Sequence, residues 1–182
     1  MTLLLAEATP LTNDRSGVES LLATIRGAAD SAGGELLDGQ VPADRSRVFA
    51  VVEGAERELL EKALREAEVD FVDVAEVRVV GATVEEIRNH RGDANYLVEW
   101  DLPAGLTMET YLARKQEKTP LYANVPEVSF LRTYVREDMS KCLCFYDGPD
   151  EDAVRRARDA VTTPIDRLHR LDTRSPANAE SE

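Results

Sequence analysis

No apolar run in this chain approaches the ~20 residues a helix needs to cross a bilayer; runs such as "LLLA" stop after a few residues. The opening "MTLLLAEATP" has neither a basic leader nor a small-residue cleavage pattern, so it does not read as a signal peptide and a cytoplasmic location is expected. Cations are in deficit: 22 Lys and Arg face 35 Asp and Glu, a net charge of −13. Binding to nucleic acid or an anionic membrane needs clustered Lys and Arg and is therefore not expected. The acidic excess most simply keeps the surface solvated. Walker and G-x-G-x-x-G loops, H-E-x-x-H and G-x-S-x-G are all missing, which removes the familiar nucleotide-dependent enzymes and hydrolases.

Histidine is nearly absent, with His90 and His169 alone, too few for a histidine-rich metal site. Cysteine is as scarce. Cys142 and Cys144 are separated by one residue on a strand-like stretch, where alternate residues lie roughly 6.5–7 Å apart, so a disulfide between them is disfavoured and reduced thiols are expected.

What the chain does have is one pattern written twice. "SRVFAVVEGAERELLEKAL" (46–64) and "SKCLCFYDGPDEDAVRRAR" (140–158) align at a shift of ninety-four, pairing Ser46 with Ser140, Gly54 with Gly148 and, further on, Phe71 with Ile165. In the first half "TLLLAEA" reads as a strand and "SGVESLLATIRGAADSAG" as a helix, with Ser16 as candidate N-cap and Gly33 and Gly34 as its stop. "ELLDGQV", "PADRS" and "RVFAVVE" read as a hairpin. "AERELLEKALREAE" is a second helix with Leu59, Leu60 and Ala63 on one face, and "DFVDVAEVRVV" alternates like a strand. The second half repeats the order: "NYLVEWDLP", the helix "LTMETYLARKQEKTPLYA" limited by Pro120, the hairpin "EVSFLRTYV" and "KCLCFYDG", the helix "PDEDAVRRARDAV" with Pro149 suiting its start, and "IDRLHRL".

The order βαββαβ is the split βαβ, or ferredoxin-like, pattern, which carries both helices on one sheet face. The expected architecture is α+β: tandem ferredoxin-like domains, 1–80 a degenerate copy and 95–172 the second, packed as an intramolecular pseudo-dimer of dimeric α+β barrel type. Residues 81–94 form a connector, part helix and part loop, and the tail 173–182 is expected to be disordered.

"YLVEWDLPAGLTMETY", "VSFLRTYVREDMSKCLCFYDGPDEDAVRRAR" and "TPIDRLHRL" resemble the small bacterial ferredoxin-like family, long a domain of unknown function, whose best-described member binds nickel. The resemblance covers about residues 95–172, with Glu99, Pro103, Tyr134, Cys144, Tyr146, Pro149, Arg155, Pro164 and Arg167 at positions of the family pattern. It implies nickel or another transition metal as cofactor. Where family members often carry histidines, in the second strand and second helix, this chain has Arg132 and Ala157, and an arginine offers no lone pair to a metal.

The two halves serve as each other's control. Arg132, Tyr134, Cys144 and Tyr146 stand where the first half has Asp38, Gln40, Ala50 and Val52, so polar function is expected in the second half. By strand alternation Phe130, Arg132 and Tyr134 share one face, as do Cys142, Cys144 and Tyr146, and across a hairpin the two rows would lie side by side. Arg132 could then hold a carboxylate in an aromatic pocket; alternatively Tyr134 and Tyr146 simply fill space and Arg132 lies at a wet surface. Glu99 interrupts an apolar strand. Buried, it would have a raised pKa and serve as general acid or base; otherwise Leu97, Glu99 and Asp101 form an exposed face while Tyr96, Val98 and Trp100 point inward. The candidate catalytic set is thus Glu99, Arg132, Tyr134 and Tyr146, with Tyr96, Trp100, Phe130 and Cys144 as ligand wall. Cys142 and Cys144, with His169 as the obvious third donor, are the candidate metal ligands, set against buried, inert thiols.

Three functions follow. The first is a small-molecule-binding protein with its pocket in the second half, with or without cofactor-independent proton transfer, cyclisation or oxygenation. The second is a nickel-type metal-binding protein. The third is a non-catalytic assembly partner, and association of two chains as a homodimer stays open.

Overall fold

The computed structural model describes residues 2–90 and 93–172. It contains eight strands and five α-helices: β1 (Leu3–Thr9), α1 (Arg15–Ser31), β2 (Glu35–Gln40), β3 (Val48–Glu53), α2 (Arg57–Glu66), β4 (Asp70–Val80), α3 (Val84–His90), β5 (Tyr96–Asp101), α4 (Met108–Lys118), β6 (Ser129–Arg136), β7 (Lys141–Asp147), α5 (Glu151–Ala160) and β8 (Arg167–Arg170). A 3-10 turn, Thr119–Asn124, follows α4 directly, because Pro120 cannot continue the α-helical ladder. The tail 173–182, expected to be disordered, lies outside the described residues, as do positions 91 and 92 of the connector.

The chain forms two compact units. One is built from the described parts of residues 1–77, 83–93 and 171–182, the other from Arg78–Ala82 and Ala94–Arg170. Within the first unit the strand order is β2-β3-β1-β4, and within the second β6-β7-β5-β8, so each is a βαββαβ unit with the same strand order. Their hairpin pairings match residue for residue at the shift of ninety-four: Asp38 faces Val51 as Arg132 faces Phe145, and Gln40 faces Phe49 as Tyr134 faces Leu143. Both hairpins carry a bulge at the same place, between Leu36 and Asp38 and between Phe130 and Arg132.

The turns repeat too. Asp44 Oδ1 accepts from the amide and hydroxyl of Ser46, and Asp138 Oδ1 does the same for Ser140, closing tight turns through left-handed Arg45 and Met139.

The core of the first unit packs Val18, Leu22 and Ile25 of α1 and Leu60 and Leu64 of α2 against Leu4, Ala6, Ala50 and Val52 of the sheet. In the second, Tyr111 of α4 and Ala153, Val154 and Ala157 of α5 lie on Val98, Cys142, Cys144 and Tyr146.

Three local expectations change. Asp14, not Ser16, caps α1, its carboxylate accepting from the Gly17 amide at 2.7 Å; Ser16 already lies inside the first turn. On α2 the buried stripe is Leu60 and Leu64, one turn apart, and Leu59 is 47% exposed. Pro149 precedes the cap of α5, Asp150, whose side chain accepts from the Ala153 amide. Gly33 does end α1: its φ of +82° admits the left-handed turn, and a side chain at Gly34 would strike the Glu53 carbonyl oxygen.

Candidate functional site

Tyr96, Val98 and Trp100 of β5 share the helix-covered face of the second sheet with Cys142, Cys144 and Tyr146 of β7, which they pair directly. Phe130 faces Tyr146 across the hairpin, with ring centroids 5.8 Å apart. Beyond Phe130 the bulge at Leu131 reverses the alternation. Thr133 and Val135 now pair with Cys144 and Cys142, and Arg132 and Tyr134 pair with Phe145 and Leu143 on the opposite face. The expected side-by-side rows therefore do not form: Phe130 stays with the Cys142–Tyr146 row, while the Arg132 guanidinium stacks on Phe145, 4.8 Å from its centroid, and the Tyr134 ring packs edge-on to the same Phe145. Both residues are buried.

Glu99 also lies on that opposite face and is fully buried, so the exposed-face alternative for it does not hold. Its Oε1 accepts from Lys141 Nζ at 2.9 Å, and its Oε2 accepts from Arg167 Nε at 2.9 Å and sits 2.7 Å from His169 Nε2. Burial pushes the carboxyl pKa up, but the hydrogen bonds from His169 and Lys141 and the charges of Lys141 and Arg167 outweigh it and hold it at about 2. The expected raised pKa is thus reversed, and a carboxylate so firmly ionised is a poor proton carrier near neutrality.

The helix-covered face contains a cavity of about 460 Å³. Its apolar wall is Trp100 of β5, Leu106, Tyr111 of α4, Tyr122 of the 3-10 turn, and Val161 and Pro164 after α5. Arg114, Lys115 and Lys118 of α4 add cations against one acid, Glu117, and the sheet side contributes Cys144. Of the sequence-derived candidates, Trp100 and Cys144 line this cavity. Tyr146 stands just behind it, its hydroxyl 2.8 Å from that of Tyr122, and Phe130 stacks on Tyr122 with centroids 5.4 Å apart. Tyr96 is a core residue beside them.

The residue missed by sequence reasoning is Arg158, also in the cavity wall and only 2% exposed. It follows Ala153, Val154 and Ala157 on the buried stripe of α5, and an arginine at that helical spacing was a legible signal. Its Nη1 donates to Cys144 Sγ at 3.4 Å and to the Tyr146 hydroxyl at 3.2 Å, and its Nη2 donates to the Pro164 carbonyl. The Nε–H has no hydrogen-bond partner, nor has the buried hydroxyl of Thr163 on the same wall. Among the described residues no carboxylate pairs with Arg158, although burying a guanidinium without one costs several kcal/mol. Burial works against its charge, yet the Cys144 sulfur and the Tyr146 phenol beside it hold its pKa above the ordinary value.

Cys144 Sγ accepts from two donors, Arg158 Nη1 and Thr133 Oγ1 at 3.2 Å, and lies 4.0 Å from the Cys142 sulfur. The Cys142 hydrogen bond, then the Arg158 and Lys115 charges and Thr133, outweigh burial and bring the Cys144 thiol well below its usual pKa. Cys142, through the same contact with Cys144 and its own burial, is pushed well above. Burial raises the phenols as well, Tyr122 to about 12 and Tyr111 and Tyr146 further, so all three are neutral donors near pH 7.

His169 pairs with Leu97 and points to the face away from the two thiols, so Cys142, Cys144 and His169 do not converge on one ion. Among the described residues no group of three or more His, Cys, Asp or Glu side chains gathers in a way that could hold a metal.

A family model described as nickel responsive protein, SCO4226-like, matches residues 96–171, nearly all of the second unit; the first lies outside the match. No curated protein matches the chain. Among solved structures, a candidate chlorite dismutase is similar over 98% of this chain and 97% of its own, with 14% identity and a TM-score of 0.56. A candidate monooxygenase from Fusobacterium nucleatum subsp. nucleatum ATCC 25586 gives 13% identity over 94% and 91% of the two chains, with a TM-score of 0.43. At 14% identity the likeness to the first is one of fold, the α+β class of the dimeric barrel proteins. The donor set of this chain does not fit the nickel that the family description suggests: two thiols on one sheet face, with the only nearby imidazole on the other, fall short of a four-ligand site. None of the helices in the described residues is long and apolar enough to cross a membrane.

Proposed function

We propose that the second unit binds a small organic acid, with its apolar body against Trp100, Tyr111 and Tyr122 and its carboxylate on Arg158. A single observation carries this reading: a guanidinium of the cavity lining that is 2% exposed, has no carboxylate partner among the described residues, and keeps an unpartnered Nε–H. A carboxylate supplies the missing acceptor, and the arginine fork suits its geometry. Lys115, Arg114 and Lys118 favour the same charge, on a molecule whose overall charge of −13 would otherwise repel it. The volume of about 460 Å³ and the aromatic walls suit a one- or two-ring compound. The reading is one of binding. The phenols of the wall are too weakly acidic to exchange protons near neutrality, and Glu99 belongs to the opposite sheet face.

Trp100 is the only tryptophan and lines the cavity, so occupancy should register in its fluorescence. The test titrates a panel of one- and two-ring carboxylates, 2-naphthoate among them, against the matching amides. Saturable quenching by the acids, at least about tenfold weaker for the amides and lost in Arg158→Gln, is the expected result, since a charge-assisted pair is worth about 1.5–3 kcal/mol. Equal affinity for acids and amides would reject the carboxylate site.

A further inference from the structure

We propose that Cys144 is a hydroperoxide-reactive thiolate, paired with Arg158 at the inner wall of the cavity. The proposal shares Arg158 and the cavity with the organic-acid site but concerns a different reacting group, Cys144, and stands even if no organic acid binds. Its basis is geometric. Arg158 Nη1 lies 3.4 Å from Cys144 Sγ and Thr133 Oγ1 3.2 Å away, so a cationic and a hydroxyl donor converge on one sulfur, with the Cys142 sulfur 4.0 Å off. A neutral thiol gains little from so many donors, whereas a thiolate is what such a set stabilises. The buried guanidinium then has an anion beside it in the ligand-free protein, which answers the cost of its burial. Cys142 is not placed to play the same part, since the Arg158 and Thr133 donors both reach the other sulfur. Cys144 is also the thiol of the two that lines the cavity, where a small co-reactant can arrive.

The chemistry follows from what surrounds the sulfur. The Cys144 thiolate attacks the nearer oxygen of a hydroperoxide, the S–O bond forms as the O–O bond breaks, and the sulfur is oxidised to a sulfenic acid. The departing alkoxide or hydroxide takes a proton from solvent and leaves as alcohol or water. The Arg158 guanidinium in the cavity lining is the cation nearest the negative charge developing on that oxygen. Closure to a Cys142–Cys144 disulfide is not expected, because strand geometry keeps the two backbones too far apart, so the sulfenic acid is the product.

The test treats the full chain, without added ligand, with hydrogen peroxide and with cumene hydroperoxide, traps sulfenic acid with dimedone and locates it by mass spectrometry. Cys142→Ser, which keeps a hydrogen-bond donor at that position, leaves Cys144 as the sole thiol. The expected result is a dimedone adduct on Cys144, a rate at pH 6 at least about tenfold above that of free cysteine, and little change between pH 6 and 8, since an ordinary thiol with a pKa near 8.5 slows about tenfold per pH unit there. Arg158→Met should slow the reaction and restore that steep pH dependence. An adduct on Cys142, a profile rising like that of free cysteine, or no reaction in the folded protein would overturn the proposal. If Arg158→Met does not fold, as judged by circular dichroism, the wild-type pH profile decides alone. Loss of the Cys144 signature with naphthoate binding intact would reject this inference and leave the organic-acid site standing.

Discussion

Glu99 and Arg158 are both buried ions of the second unit, and they are satisfied in opposite ways. Glu99 has Lys141, Arg167 and His169 around one carboxylate, while Arg158 has neutral partners and a thiol. The first arrangement is structural in its consequences. Because the folded pKa of Glu99 is about 2 against an ordinary value of 4.5, its ionised form adds stability above pH 4.5 that is lost as pH falls through about 2. The gap corresponds to about 3 kcal/mol near neutrality. Glu99→Gln should therefore destabilise the chain by roughly that amount at pH 7, and the difference from wild type should fall to less than half by pH 3. Urea unfolding of both proteins across that range measures it; a difference independent of pH would show that the carboxylate is not held ionised by its neighbours. Sequence alone placed Glu99 in a strand but could not show its partners, because Arg167 and His169 arrive from a strand almost seventy residues away.

The bulge in β6 is the element that decides which side chains meet. Alternation along "VSFLRTYV" is a sound rule for a regular strand, and one extra residue at Leu131 inverts it for everything that follows. Nothing in the local composition marks that residue, so Arg132 and Tyr134 were assigned to the wrong side while Phe130, before the bulge, was not. α2 and α5 close in the same way, with the amides of Glu68 and Thr162 donating to the carbonyls of Arg65 and Asp159, and both residues adopt left-handed backbone angles with φ of 58° and 53°. A β-branched residue is poorly suited to that conformation. Thr162→Gly should raise the free energy of unfolding by about 1 kcal/mol, and Thr162→Ala, which keeps a Cβ, should give no such gain. Chemical denaturation of the two variants decides; equal effects would mean that the backbone at this turn is not strained.

At the scale of the whole chain, the shift of ninety-four was legible across the hairpin, the second helix and the last strand, and it carries through their pairing, bulge, tight turn and helix end, because these are set by backbone geometry and by apolar positions that both units keep. What differs between the units is side chains at equivalent positions, and the most telling is the place where the first unit has Leu64, fully buried, and the second has Arg158, also buried. The fold itself therefore does not call for a charge there. Replacing a buried ion by a well-packed apolar residue is often neutral or stabilising, whereas a site kept for ligand binding carries a stability cost. Arg158→Leu, which copies the first unit, should leave stability within about 1 kcal/mol of wild type or above it, since Tyr146 keeps its hydrogen bond to Tyr122. The same variant should lose the preference for carboxylates over amides. Paired urea unfolding and Trp100 titration read both effects in one protein. A loss of several kcal/mol in stability would make the arginine a structural member of the core, and the contrast between Leu64 and Arg158 would then say nothing about function.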